Sequence, residues 1–252
     1  MYFDTHAHYD SEKFASDRDA VLSSMPALGV DYIIDPGCDG ESSRAALALA
    51  ERYPHVYAAV GWQPQEWESW NMYSPALVRS LAGHEKCVAI GEIGLDYYWD
   101  REHKAVMYEM LVTQLELALE LDKPVIIHDR DAHADCLDIV SRYPGLRGVF
   151  HCFSGSREMA LELVRLGWYL GFDGPVTYKN ARRALEALEA VPIERVLLET
   201  DSPYLPPEPH RGERNSSANL RYIAEKVAAV KGISLADCAR ITSENARRLF
   251  GI

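Results

Sequence analysis

Two histidines, His6 and His8, stand two residues apart near the start of the chain, just after the apolar pair Tyr2-Phe3. On a β-strand, residues i and i+2 share a face, so both imidazoles would point the same way. Neutral imidazole nitrogens bind divalent transition metals at about 2.0–2.1 Å. The pair indicates either half of a metal site or an exposed pair with no function, and the other strand ends must decide between these.

Further nitrogen and oxygen donors stand at the ends of later predicted strands: Glu92 on the fourth, His128 on the fifth, His151 on the sixth and Asp201 on the eighth. Taken singly, each could be a satisfied polar residue of the core. Together with the N-terminal pair they make six donors, which exceeds what one tetrahedral ion binds. A carboxylate can bridge two ions, so the pattern predicts two divalent metal ions, with zinc, manganese and magnesium as candidates.

Our assignment places His6, His8 and Asp201 on the first ion and His128 and His151 on the second, with Glu92 shared. Two ions about 3.5–4 Å apart suit in-line phosphoryl chemistry, and a metal ion lowers the pKa of a bound water to about 7. Asp201 could orient that water or take its proton. We therefore predict Asp201 and Glu92 as the catalytic residues.

The elements that must position these residues alternate along the whole chain. The predicted strands are an N-terminal one that runs into Asp4, then Tyr32–Asp35, Val56–Val60, Cys87–Glu92, Pro124–His128, Leu146–His151, Trp168–Phe172 and Arg195–Asp201. The predicted helices are Asp17–Leu28, Glu41–Tyr53, Pro75–Leu81, Glu102–Leu121, Asp131–Tyr143, Arg157–Leu166, Ala181–Ala190, Ala218–Lys231 and Leu235–Phe250. Apolar strands separated by helices indicate parallel βαβ units. Eight of them predict an α/β fold, a (β/α)₈ TIM barrel, as one domain over residues 1–252.

Composition narrows the range of functions. A net charge of −12 argues against broad electrostatic binding to duplex nucleic acid, which depends on Lys and Arg. No apolar run approaches the roughly 20 residues of a membrane helix, and the N-terminus lacks a secretion signal, so we expect a cytoplasmic enzyme and no membrane partner. Five scattered cysteines without Cys-x-x-Cys spacing predict reduced thiols. We expect a monomer.

Several segments carry a resemblance to a known family. They are Asp4–His8, Gly91–Tyr98, His128–Ala132, His151–Gly155, Gly174–Asn180, Glu199–Tyr204 and Asn245–Gly251. These segments are similar to the signature blocks of the TatD family of metal-dependent deoxyribonucleases. The resemblance implies a TIM barrel of the amidohydrolase type, two divalent ions at the six residues above, and hydrolysis of DNA phosphodiesters, in several members as a 3′-to-5′ exonuclease. DNA, preferably at single-stranded ends, is therefore the predicted substrate.

Two segments depart from the family pattern. The family usually has Gly-x-His-Pro after the third strand, whereas this chain has Gln63 in the histidine position. Glutamine can form hydrogen bonds but cannot take up a proton. In the Arg-x-x-Arg-Asn-Glu-Pro loop, Ser216 and Ser217 replace the acidic residue and the proline. Neither change affects a predicted metal ligand, but both bear on substrate preference.

Aromatic and cationic residues at or beyond the strand ends predict contacts with unpaired bases and phosphates. The predicted substrate contacts are Gln63, Tyr97, Arg130, Phe153, Lys179 and Tyr204. Arg130 could instead pair with Asp129 or Asp131. Because a fold does not fix its function, two alternatives remain: a metal-dependent hydrolase of a small amide, lactone or phosphotriester, and an inactive barrel that binds nucleic acid.

Overall fold

A computed structural model that describes residues 1–252 contains one sheet of eight strands, which pair in their order along the chain. The strands are β1 Tyr2–Asp4, β2 Val30–Pro36, β3 Val56–Val60, β4 Cys87–Asp96, β5 Val125–Arg130, β6 Gly148–Phe150, β7 Tyr169–Phe172 and β8 Val196–Leu198. Every neighbouring pair is parallel. The predicted TIM barrel is thereby confirmed.

Helices connect these strands on the outside of the barrel. They are α1 Arg18–Ser24, α2 Gly40–Arg52, α3 Ser74–Ala82, α4 Lys104–Glu120, α5 His133–Ser141, α6 Arg157–Arg165, α7 Arg182–Ala190, α8 Leu220–Lys231 and α9 Leu235–Phe250. None of them combines the length and the apolar character needed to span a bilayer. The helix predicted over Asp17–Leu28 ends at Ser24, because Pro26 begins a short 3₁₀ turn that stops at Gly29 in the left-handed region, with φ of 82°.

Hydrogen bonds between the residues that follow β1 and β8 complete the barrel. The amide of Thr5 donates to the carbonyl of Leu198 (3.1 Å), the amide of Asp201 to that of His6 (2.9 Å), and the amide of His8 to that of Ser202 (2.6 Å). The first and last strands are therefore joined at the end where all strands finish, which we call the open face. This junction brings His6 next to Asp201, although 195 positions separate them in the sequence.

The opposite end of the barrel is closed by α9. A cluster of twelve buried residues takes at least one residue from every strand, among them Phe3 and Leu197, together with Ala246, Leu249 and Phe250 of α9. The side-chain amide of Asn245 also donates to the carbonyls of Ile193 (2.8 Å) and Val196 (3.0 Å). Helix α9 therefore covers the end of the barrel that lies opposite the open face.

Candidate active site

The open face brings all six predicted ligands together. Glu92 lies within β4 and His128 within β5, whereas His6, His8, His151 and Asp201 lie just beyond the strands that precede them. These four were predicted at strand ends, but the strands stop one to four residues earlier. Asp201, beyond the end of β8, has a φ of 54°, in the left-handed region that non-glycine residues rarely adopt.

The first donor group consists of His6, His8, Asp201 and one oxygen of Glu92. The Nε2 atoms of His6 and His8 are 3.1 Å apart. Oε2 of Glu92 lies 3.6 and 3.7 Å from these two nitrogens, and Oδ1 of Asp201 lies 3.7 and 3.5 Å from them. Ligand atoms about 2.1 Å from a tetrahedral ion are about 3.4 Å from one another. The spacing of these four donors therefore fits a single divalent cation.

The second donor group consists of His128, His151 and the other oxygen of Glu92. Oε1 of Glu92 is 2.8 Å from Nδ1 of His128 and 2.8 Å from Nε2 of His151. The two nitrogens are 3.2 Å apart. Each oxygen of Glu92 thus faces a different pair of imidazoles, which is the arrangement of a carboxylate that can bridge two ions.

The electrostatics of this cluster favour ionised carboxylates and divide the four imidazoles. Burial opposes protonation of His8, His128 and His151, but hydrogen bonds with neighbouring acidic groups and their charges outweigh it and raise the pKa values of all three, that of His128 to about 9. Burial opposes ionisation of Glu92, but the charge of His151 and hydrogen bonds from His128 and His151 outweigh it and hold the pKa of Glu92 well below its usual range. Burial likewise opposes ionisation of Asp201, yet its hydrogen bond with His8 keeps its pKa below the usual value. Burial and the nearby His151 lower the pKa of His6. Carboxylates and an unprotonated imidazole are the forms that bind metals.

Further side chains and carbonyls orient the imidazoles. The carbonyl of Pro36 lies 3.1 Å from Nδ1 of His8, and a carbonyl only accepts, so Nδ1 donates and Nε2 is the nitrogen that faces the other donors. Oδ2 of Asp96 lies 3.1 Å from Nε2 of His128 and orients that ring in the same way. The side-chain amide of Gln65 donates to the same oxygen at 2.8 Å. Sequence reasoning missed Asp96. Its signal was the alternation along β4, which places Glu92 and Asp96 on one face of the strand.

A cavity of about 450 Å³ opens beside the donor groups, on the side of β5 to β8. Three of the predicted ligands, His128, His151 and Asp201, form one of its walls. Its apolar lining comes from Phe153, Phe172, Val176 and Leu205, and its rim includes Arg130, Tyr178 and Arg183. The cavity therefore combines apolar surface, two cations and the donor atoms.

Four predicted substrate contacts lie at or near the donor groups. Nε2 of Gln63 donates to Oε2 of Glu92 at 3.3 Å. Phe153 and Arg130 line the cavity. The ring of Tyr204 is 44% exposed, with its centroid 6.4 Å from that of His8. These positions are compatible with substrate contact.

The structure does not bring the other two predicted substrate contacts, Tyr97 and Lys179, to the cavity. Tyr97 is buried, its hydroxyl donates to Asp135 at 2.7 Å, and Lys104 lies over its ring at 3.7 Å. Lys179 is exposed and is not among the residues that line the cavity. The cation found there instead is Arg183, which sequence reasoning missed. Its signal was its place at the start of α7, since the loops that follow the strands open on the active face of such a barrel.

A parallel eight-stranded barrel with a histidine and carboxylate cluster at its open face defines the class of barrel-fold metal-dependent hydrolases. The family model of TatD-related DNases matches residues 3–251. The chain therefore belongs to the TatD family of metal-dependent hydrolases, as the sequence motifs predicted.

Relatives match over almost their whole length. An uncharacterized metal-dependent hydrolase, YabD of Bacillus subtilis, is 41% identical over 100% of both chains. A 3′-5′ ssDNA/RNA exonuclease TatD of Cronobacter sakazakii is 38% identical over 98% of this chain and 97% of its own. The crystal structure of YjjV, a TatD homologue from Escherichia coli, has a TM-score of 0.94 and 32% identity, covering 100% of this chain and 98% of that one.

Proposed function

We propose that this hydrolase cleaves phosphodiester bonds at the ends of single-stranded nucleic acid, with DNA as its main substrate and 3′-to-5′ removal of nucleotides as its mode. The observation that carries the proposal is the position of Glu92, whose two oxygens face two donor groups beside a cavity with cationic residues on its rim. Relatives named as 3′-5′ ssDNA/RNA exonucleases support the substrate class.

In this proposal the first donor group would hold one divalent ion and the second would hold another, with Glu92 offering one oxygen to each. Divalent ions held there would supply the positive charge that activates water and stabilises the negative charge developing on a phosphate. The four imidazoles favour zinc or manganese over magnesium, which prefers oxygen ligands.

Asp201 has the position of a general base. Its Oδ1 faces His6 and His8, and the residue also lines the cavity. Its other oxygen, Oδ2, can therefore accept the proton of a water that attacks a phosphate from the cavity side. Gln63 would hold Oε2 of Glu92 through its amide hydrogen bond.

The cavity is proposed to hold the terminal nucleotide. Phe153 and Tyr178 would contact its base and sugar, while Arg130 and Arg183 would contact phosphate. Two arginines placed at the rim supply local positive potential in a chain whose net charge is −12. Binding then depends on a few contacts at a strand end rather than on a broad basic surface.

One observation favours a second candidate, a hydrolase of small phosphotriesters or lactones. Much of the cavity wall is apolar, from Phe153, Phe172, Val176 and Leu205, and a small neutral ester would fit against it. The rim arginines would have no partner in such a complex, which is why we favour a charged strand end.

A panel of substrates tests the proposal. Metal-stripped protein would receive zinc, manganese or magnesium and then single-stranded DNA, single-stranded RNA, duplex DNA, a phosphotriester or a lactone. We expect single-stranded DNA to have the highest kcat/KM, with RNA slower and duplex slowest. Turnover of the triester or lactone with no cleavage of nucleic acid would overturn the proposal and favour the second candidate.

A further inference from the structure

Two aromatic side chains stand exposed beside the open face, at the end of β4. Tyr98 is 54% exposed and Trp99 is 64% exposed. Their ring centroids are 4.9 Å apart, and the guanidinium of Arg130 lies 4.0 Å from the centroid of Tyr98 and 5.5 Å from that of Trp99. We call Tyr98, Trp99 and Arg130 the aromatic ledge. Contiguous exposed aromatic surface of this kind marks interaction sites.

The ledge is held in place without any ligand. Oδ1 of Asp96 accepts hydrogen bonds from the amides of Tyr98 (2.9 Å) and Trp99 (3.1 Å). The amide of Tyr97 donates to the carbonyl of Arg130 at 2.8 Å, which continues the ladder between β4 and β5. A surface fixed in this way loses little conformational freedom when it binds a partner.

The ledge is also joined to the candidate active site. The second oxygen of Asp96 contacts Nε2 of His128 at 3.1 Å. Arg130 follows His128 by two residues on β5, so both side chains leave the same face of the strand, about 7 Å apart along it. A chain with one phosphate at His128 can therefore reach Arg130 and the two rings with its adjoining nucleotides.

We propose that the aromatic ledge binds the nucleotides that precede the terminal one, by stacking their bases on Tyr98 and Trp99 and pairing a phosphate with Arg130. This inference rests on the proposed function and extends it, because it requires a substrate several nucleotides long. Aromatic faces stack on any base, so the ledge favours single strands without selecting sequence. Paired bases in a duplex do not offer their faces to such a surface. A small ester confined to the cavity would not reach it.

The test compares a long and a short ligand. Binding of an oligodeoxythymidylate of roughly 12 nucleotides and of the mononucleotide would be measured by fluorescence anisotropy on the metal-stripped full chain. Stacking contributes enough per base that Trp99→Ala and Tyr98→Ala should each raise the Kd of the oligonucleotide at least about fivefold, and leave that of the mononucleotide unchanged. Trp99→Phe should retain most of the affinity.

The control is Tyr108→Ala, an exposed aromatic on the outer side of α4 that contacts Arg142 beyond the end of α5. It should leave both Kd values unchanged. With metal restored, the ledge variants should raise KM for the oligonucleotide while kcat stays near that of the wild type.

The outcomes separate this inference from the proposed function. If the wild type shortens the oligonucleotide and both ledge variants have the same Kd and KM for it as the wild type, the inference about the ledge is overturned and the proposed function stands. Equal weakening of oligonucleotide and mononucleotide binding would also overturn it, because the rings would then contact the terminal nucleotide. If the wild type cleaves no nucleic acid, yet Trp99→Ala weakens oligonucleotide binding, the ledge stands and the proposed function fails.

Discussion

The carboxylate of Asp96 lies 3.1 Å from Nε2 of His128, on the side of the imidazole that faces away from Glu92. The other oxygen of Asp96 holds the amides of Tyr98 and Trp99. One buried side chain thus orients a proposed metal ligand and also fixes the turn that carries the aromatic ledge. Asp96 is a positioning residue, since it acts through His128.

Replacement of Asp96 by asparagine should lower metal affinity by about 10-fold to 100-fold, because the amide is neutral and orients the ring of His128 less firmly. Chelator competition on the purified protein measures this affinity directly. The matched control is Asp135→Asn, because the carboxylate of Asp135 accepts a hydrogen bond from the hydroxyl of Tyr97 and contacts no imidazole. Equal metal affinity in the Asp96 variant and the wild type would contradict the assigned role.

Two adjacent arginines at the start of α7 allow a matched test of substrate binding at the cavity rim. Arg183 lines the cavity, whereas Arg182 is 88% exposed and pairs with Glu186 at 2.7 Å. Arg183→Ala should raise KM for single-stranded DNA about tenfold or more, since a charged contact with phosphate is lost. Arg182→Ala should leave KM unchanged. Equal KM values in the two variants would remove Arg183 from the proposed substrate contacts.

Metal should stabilise the fold, because the donor atoms are assembled only in the folded chain. At about 100 times Kd, a bound ion contributes about 2.7 kcal/mol, which corresponds to a rise in Tm of roughly 5–10 °C for a chain of this size. Differential scanning fluorimetry of chelated protein, with and without manganese or zinc, measures the shift. Glu92→Gln should reduce it strongly, and an unchanged shift in that variant would argue that the ion binds elsewhere.

The contact between α9 and the end of the barrel leads to a prediction about the stability of the fold. Asn245→Ala leaves the carbonyls of Ile193 and Val196 without their donor, which should lower the free energy of unfolding by about 2 kcal/mol. Ser243→Ala on the same helix removes only a long contact of 3.4 Å to the carbonyl of Met1 and should change little. Urea titration of both variants tests this. Equal stability of the two would contradict the role of Asn245.

The sequence predicted the barrel and the convergence of its six donors, because strand periodicity and strand order together determine which residues reach the open face. It could not predict where side chains point once a strand has ended. That direction depends on loop dihedrals such as the φ of 57° at Asp131 and 44° at Cys152, which tertiary contacts hold. Tyr97 and Lys179 were predicted as substrate contacts from their position alone, whereas the structure buries Tyr97 against Asp135, leaves Lys179 out of the cavity lining and includes Arg183 in it.

The most direct test of metal-dependent hydrolysis at strand ends uses single-stranded DNA labelled at its 5′ end, with metal-stripped protein before and after zinc or manganese is restored. We predict no cleavage without metal, a ladder of stepwise shortening from the 3′ end with it, and no ladder from folded Glu92→Ala or Asp201→Ala protein. Undiminished shortening by either variant, or intact DNA at every metal concentration with the wild type, would contradict the account.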